Sequence, residues 1–191
     1  LLDWQKENIF TANDIKLYMP TGCLFDSLWL NFSSTSSSDP SAISRLYTFN
    51  RNTDQLFDFF NISIQPFGIA ANLTDKALIV WKDVNGTIVS KGGKMEGKFI
   101  TAKTRELGAY FVKLDTTAPK ITPLNISNVK VLPPVNTILI KITDNLSGIG
   151  DYRAYVDGKW QLMEYDGKAA LLKMNLLDKN LSLFLILISF A

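Results

Sequence analysis

Tyr152, Tyr155, Trp160 and Tyr165 flank an Asp157–Gly158 turn. Aromatic rings exposed on a β surface stack on the apolar faces of sugar rings, so these four form a candidate ligand or interaction surface, with a glycan platform as one form of it. Strand alternation sends roughly half of such residues to each face. The preferred reading is therefore that alternate members face inward as cross-strand core pairs, which predicts that Trp160→Ala destabilises the fold.

Asp144, Asn145, Asp151, Asp157 and Asp166 place side-chain oxygens around turns, and calcium takes roughly six to eight oxygens. The spacing is not that of an EF-hand loop. Asp and Asn cap turns by accepting backbone N–H bonds, so capping is the expected role and no metal is assigned. Glu96, Glu106 and Glu164 are the natural acid–base candidates for a histidine-free glycosidase. A general acid needs a pocket that raises its pKa, and without one these carboxylates belong to solvated faces.

The chain contains no histidine, which removes the Ser-His-Asp triad, the Cys-His dyad and the His-ligated zinc centre of hydrolases. Its single cysteine, Cys23, sits in the apolar stretch Gly22-Cys-Leu-Phe25 and reads as a buried, inert thiol. Gly92, Gly93 and Gly97 lead into no helix that would cradle a phosphate, so a tight turn or bulge is expected there. No catalytic residue and no cofactor are assigned, and the protein is expected not to be an enzyme.

The elements that would carry these residues are short strands. Ile15–Met19, Ser27–Phe32, Phe57–Ile64, Ala77–Trp81, Gly97–Thr101 and Ala109–Leu114 are rich in β-branched and aromatic residues and bounded by turn formers. Asn85–Gly86, Asp157–Gly158 and Asp166–Gly167 tolerate the positive φ of two-residue hairpin turns. They predict antiparallel hairpins over Val80–Val89 and Asp151–Met163. Asn31–Pro40 is Ser-rich and reads as a mobile surface loop. Around Thr116 the sequence Leu114-Asp-Thr-Thr-Ala-Pro-Lys-Ile-Thr-Pro123 turns to proline and threonine, which favours an extended link.

With 20 Lys and Arg against 18 Asp and Glu the net charge is +2 and no basic run appears. Counterion release onto nucleic acid has no footing. The apolar ending Leu181–Ala191 falls short of the ~20 residues of a membrane-spanning helix, so a buried strand is expected and no transmembrane helix. The opening Leu1–Glu7 lacks the basic start and apolar run of a signal peptide and suits a mature or excised fragment. Asn-x-Ser/Thr sequons such as Asn61-Ile-Ser63 matter only in a eukaryotic secreted protein.

Asp144-Asn-Leu-Ser-Gly-Ile149, Tyr152-Arg-Ala-Tyr-Val-Asp-Gly-Lys-Trp160 and Leu162-Met-Glu-Tyr-Asp-Gly-Lys168 resemble the C-terminal region of Bacteroidetes peptidases of the M23 (lysostaphin-like) family. Met19-Pro-Thr-Gly-Cys-Leu-Phe-Asp26, Gly92-Gly-Lys-Met-Glu-Gly97, Thr104-Arg-Glu-Leu-Gly-Ala-Tyr110 and Asp115-Thr-Thr-Ala-Pro119 are similar to further landmarks of that region, in the same order. The Asp115–Pro119 stretch also resembles the start of bacterial Ig-like domains. The resemblance implies β-sandwich modules that come after a zinc peptidase domain cleaving peptidoglycan cross-links. Without histidine, no catalytic residue of that family transfers to this chain. Members finish with a Gly-containing turn and an alternating strand, whereas here Asp178-Lys-Asn leads into an apolar tail, as a truncated or frameshifted gene end would give.

The expected fold is all-β, with two consecutive antiparallel β-sandwich modules: residues 1–115, and residues 116–191, the latter Ig-like, shortened and ending in the atypical tail. The expected function is that of a non-catalytic accessory region in the bacterial cell envelope, periplasmic or associated with the outer membrane. It would position a peptidoglycan-acting peptidase domain, linked or separate, or contact another envelope protein. The alternative is a carbohydrate-binding module using exposed aromatics, Trp81 or Trp160 among them.

Overall fold

A computed structural model of the chain describes residues 1–51, 53–126, 137–156, 158–175 and 186–190. The fold is all-β. Among the described residues the one helix is a single 3-10 segment, Ala71–Lys76. Chain contacts divide the protein into two compact units, Leu1–Thr116 and Thr117–Ala191.

The first unit contains β1 (Asn8–Ala12), β2 (Ile15–Met19), β3 (Phe32–Thr35), β4 (Leu46–Phe49), β5 (Gln55–Ile64), β6 (Ala77–Lys82), β7 (Ile88–Ser90), β8 (Lys94–Glu96), β9 (Phe99–Glu106) and β10 (Gly108–Leu114). They form two antiparallel sheets, in the orders β1-β2-β5-β9-β8 and β3-β4-β10-β6-β7. In β2 the sequence Ile-Lys-Leu-Tyr-Met alternates strictly, so Ile15, Leu17 and Met19 are buried while Lys16 and Tyr18 are exposed. Phe60, Ile62 and Ile64 of β5 and Ile100 and Ala102 of β9 join them from the same sheet, and Tyr47, Phe49, Ala77, Ile79, Tyr110 and Val112 close the core from the other. Full burial of each large aliphatic side chain contributes about 1.5–3 kcal/mol, and truncation to alanine costs about 2–5 kcal/mol.

The chain changes sheets abruptly between β9 and β10, with only Leu107 between them. Gly108 takes φ 122° there, which an L side chain rarely adopts. The two carbonyls exposed by the corner find partners inside the sandwich. The Tyr110 hydroxyl donates to the Glu106 carbonyl, and the Trp81 indole N–H donates to the Leu107 carbonyl at 2.9 Å. A corner this tight is tolerated because its backbone groups are satisfied as they leave water.

The second unit contains β11 (Lys120–Pro123), β12 (Thr137–Thr143), β13 (Tyr152–Val156), β14 (Lys159–Gln161), β15 (Glu164–Asp166), β16 (Leu171–Asn175) and β17 (Ile186–Phe190). One sheet runs β11-β12-β16-β15 and the other β14-β13-β17, again antiparallel throughout. Its core is a separate cluster, Ile138, Ile140, Ile142, Ala154, Val156, Met163, Leu172 and Met174. Apart from β17, the apolar tail lies outside the described residues.

Local expectations meet the structure unevenly. The hairpins over Val80–Val89 and Asp151–Met163 form as β6–β7 and β13–β14. The turns are longer than two residues at Asn85–Gly86, where a loop from Asp83 to Thr87 closes with Gly86 at φ 83°, and at Asp166–Gly167, where Ala170 rather than Gly167 takes positive φ. Asp157 lies outside the described residues. Ser27–Phe32 is extended without pairing beyond the isolated Leu2–Leu28 bridge until β3 begins at Phe32. The Ser-rich segment supplies β3, whose Ser34 is held by Arg45 through Nε to Oγ at 2.7 Å and Nη2 to the carbonyl at 3.0 Å.

Candidate interaction surface

In β13 the buried Ala154 and Val156 put Tyr152 on the core-facing side and Tyr155 on the opposite one. Tyr152 packs against the second core. Its hydroxyl donates to the Met163 carbonyl at 2.6 Å, and its ring meets that of Tyr165 edge-on at 6.1 Å. Burial, then Asp151 and Tyr165, pushes the Tyr152 phenol above its usual pKa. Tyr155 pairs in register with Trp160, so the two share the outer face. Trp160 is 60% exposed, so it stands outside the core instead of facing inward as a cross-strand core partner. The four aromatics therefore form two pairs: Tyr152, bonded to the Met163 carbonyl, braces the sandwich with the exposed Tyr165 against its ring, and the half-buried Tyr155 shares the outer face with Trp160.

The oxygen-bearing residues are spent on turns. Asp144 Oδ1 accepts from the backbone N–H groups of Leu146 and Gly148, both at 2.8 Å. Asp166 Oδ1 accepts from Lys168 and Ala169, and Asp151 Oδ1 from Tyr152; Asn145 is exposed. Among the described residues no group of three His, Cys, Asp or Glu side chains is arranged to hold a metal ion.

Of the carboxylates, Glu96 and Glu164 are exposed on short strands, and Glu164 stands opposite Lys173. Glu106 is engaged by Lys91 at 2.9 Å, Thr104 Oγ1 at 2.7 Å and the Arg105 N–H at 3.1 Å. Partial burial opposes ionisation, but these three donors outweigh it and hold Glu106 below the usual carboxylate pKa. A general acid would need the opposite shift. Trp81, whose indole N–H closes the corner, lies under Lys91 at 4.9 Å and is braced rather than displayed. Burial raises the Cys23 thiol pKa, with the Asp58 charge adding to it, so little thiolate forms at neutral pH.

A second aromatic surface lies in the first unit, on residues whose sequence reads as ordinary strand. β5 and β9 are in register from Phe60↔Thr104 to Ile64↔Ile100 and again at Gln55↔Glu106. Four β5 residues, 56 to 59, thus oppose Arg105 alone. This bulge keeps Leu56 and Phe60 in the core and turns Phe57, Asp58 and Phe59 outward. Two N–H groups freed from the ladder, on Phe57 and Asp58, donate to the Cys23 carbonyl at 2.9 and 3.3 Å, and Cys23 Sγ donates to the Asp58 carbonyl at 3.2 Å. The Cys23 segment therefore lies across the bulge and sets Phe25 edge-on against Phe57, with ring centroids 5.4 Å apart. The Arg105 guanidinium sits 5.7 Å from the Phe59 ring centre. Phe25, Phe57, Arg105, Glu106, Gln55 and Asp54 line an open recess there.

Asp54 also lines a neighbouring recess of about 450 Å³ with Trp29, Asn31, Asn50 and Arg51. Trp29, at 74%, is the most exposed large apolar residue among those described. Its backbone is fixed by Asn50, which adopts φ 49°, a left-handed conformation that asparagine tolerates better than most residues. The Asn50 amide donates to the Trp29 carbonyl at 2.8 Å and accepts from the Asn31 N–H at 3.0 Å.

Residues 1–115 match the family model described as the Zu5-like domain. That span agrees within one residue with the first compact unit, Leu1–Thr116. No curated protein matches the chain.

Proposed function

The chain belongs to the Zu5-like domain family through residues 1–115, and we propose that it serves as a non-catalytic accessory region of a bacterial envelope protein. In this reading the second unit is an Ig-like sandwich placed after the Zu5-like one. The region works in the periplasm or at the outer membrane, where it positions a peptidoglycan-acting M23-type peptidase domain or contacts another envelope component. The resemblance of its sequence landmarks to the C-terminal region of Bacteroidetes M23 peptidases suggests the setting.

The observation that carries the contact role is the Phe25–Phe57–Phe59 surface with Arg105. Aromatic and arginine side chains are the residue types enriched at protein contact sites. Here they stand on a bulge whose freed N–H groups are already bonded, so docking requires little ordering of the backbone. The state of Glu106, held ionised by Lys91, supports a role without acid–base chemistry.

Retention of the full chain on insoluble peptidoglycan sacculi and on an immobilised M23-type peptidase domain tests this reading. The native chain should be held by one of them, and Phe57→Ser should be released while its melting temperature stays within a few degrees. Retention by neither, or cleavage of peptidoglycan by the chain alone, would refute it.

The outward Trp160 beside Tyr155 favours a second reading, carbohydrate binding by the second unit. Under that reading Trp160→Ala loses sacculus binding with its fold intact, and Phe57→Ser does not.

A further inference from the structure

We propose that the Trp29 recess of the first unit is a binding subsite for one pyranose ring of a β-linked, gluco-configured glycan. This inference goes beyond the contact role above and stands whether or not that role holds, because Phe25, Phe57, Phe59 and Arg105 take no part in it.

The recess combines one flat apolar surface with a few planar polar groups around it, the composition expected of a small polar ligand's site. In a gluco-configured ring the hydroxyls are equatorial, which leaves two flat C–H faces and a polar rim. The exposed indole of Trp29 matches such a face. Three side chains lining the recess offer groups to the rim. The Asn31 amide and the Arg51 guanidinium have no hydrogen-bond or ion-pair partner among the described residues, and Asp54 uses only Oδ2, which accepts from the Arg51 N–H at 3.1 Å. Together they supply donors from Arg51, both functions from Asn31 and an acceptor from Asp54 Oδ1. An axial hydroxyl obstructs the face on which it stands, so a β-linked gluco-configured ring offers the indole two flat faces where an α-linked or galacto-configured ring offers one.

Asn50 acts as a positioning residue. Both ends of its amide are occupied, by the Trp29 carbonyl and by the Asn31 N–H, and the Asn50 N–H donates to the Asn31 carbonyl at 2.9 Å. A non-glycine residue kept at positive φ is strained backbone retained by its surroundings. Here that strain fixes the platform and its nearest polar neighbour relative to one another, so less order is lost on binding.

The test is titration of the full chain with chitotetraose and, separately, cellotetraose, tracked through the four tryptophan indole N–H resonances. The Trp29 signal is identified by its absence in Trp29→Ala. We expect at least one oligosaccharide to shift that signal. Trp29→Ala and Arg51→Ala should each weaken binding at least about tenfold, equivalent to about 1.4 kcal/mol, with melting temperatures unchanged because both side chains are exposed. Asn50→Ala should weaken binding while Asn50→Gly, which keeps access to positive φ, recovers part of it. The proposal is overturned if neither sugar moves the Trp29 signal, or if Trp29→Ala binds within about twofold of the native chain. Loss of binding through Trp160→Ala alone also overturns it and assigns the sugar to the second unit.

Discussion

The Tyr110 hydroxyl closes the β9–β10 corner by donating to the Glu106 carbonyl, and it also lies 3.0 Å from Thr104 Oγ1. Phenylalanine at this position keeps the buried ring but strands a carbonyl in the interior. Tyr110→Phe should therefore cost about 1–3 kcal/mol, read as a lower urea midpoint with an unchanged slope. Beside it, the lowered pKa of Glu106 makes a pH statement. A carboxylate whose folded pKa is depressed contributes stability that is fully present above the ordinary value of 4.5 and lost as pH falls through the folded value. The side chain is 41% exposed, so screening keeps the contribution below about 1 kcal/mol. Glu106→Gln should lower stability slightly at pH 7 and flatten its decline below the ordinary carboxylate pKa, as urea titrations at a series of pH values would show.

Between β7 and β8 the chain passes from one sheet to the other through Lys91–Gly93, bonded on the way to β6 by Ile79 N–H to the Gly92 carbonyl at 2.8 Å and Lys91 N–H to the Ile79 carbonyl at 2.9 Å. A Cβ at Gly93 would stand 2.6 Å from Ile100 Cγ2, at a φ of 152°. Gly93→Ala should destabilise the first unit by about 1–3 kcal/mol. Ile100→Ala removes the clashing methyl, so the double variant should be more stable than the sum of the two losses predicts, a coupling visible in a double-mutant cycle. Strands were legible in two ways: β2 alternates strictly, whereas β6 and β10 are short runs of β-branched and aromatic residues between turn formers, with consecutive residues buried. Ser27–Phe32 misled because its alternation is real. Leu28, Leu30 and Phe32 pack on the core, but the backbone is held by Leu2 and Asn50 instead of a neighbouring strand. The first unit's aromatic surface was hidden for a related reason. Trp29 and Phe57 read as strand residues, and neither the four-against-one bulge nor the left-handed Asn50 leaves a mark in composition. In β13 and β14 the Asp157–Gly158 pair in the sequence announced the hairpin, and alternation then separated Tyr152 from Tyr155.

Among the described residues the two cores share no side chain: the first draws on residues from Leu2 to Val112, the second on Ile138 to Met174. A cluster that closes on itself is the requirement for a segment to fold alone. A fragment of residues 1–116 should accordingly unfold cooperatively in urea and keep its near-ultraviolet aromatic circular dichroism; a broad, non-cooperative loss of signal would show that the first core depends on the second unit. Strand β10, with which the first unit ends, is central in its sheet, flanked by β4 and β6, and its upstream end is tied at the corner by Tyr110. Tension applied downstream of Leu114 therefore meets the β6 ladder on one side and the Ala42–Lys113 bridge on the other before it reaches the β4 pairing at Gly108–Tyr110, and β10 cannot be peeled away as an edge strand could. In a protein anchored at one end and loaded at the other, the first sandwich would act as a mechanical stop.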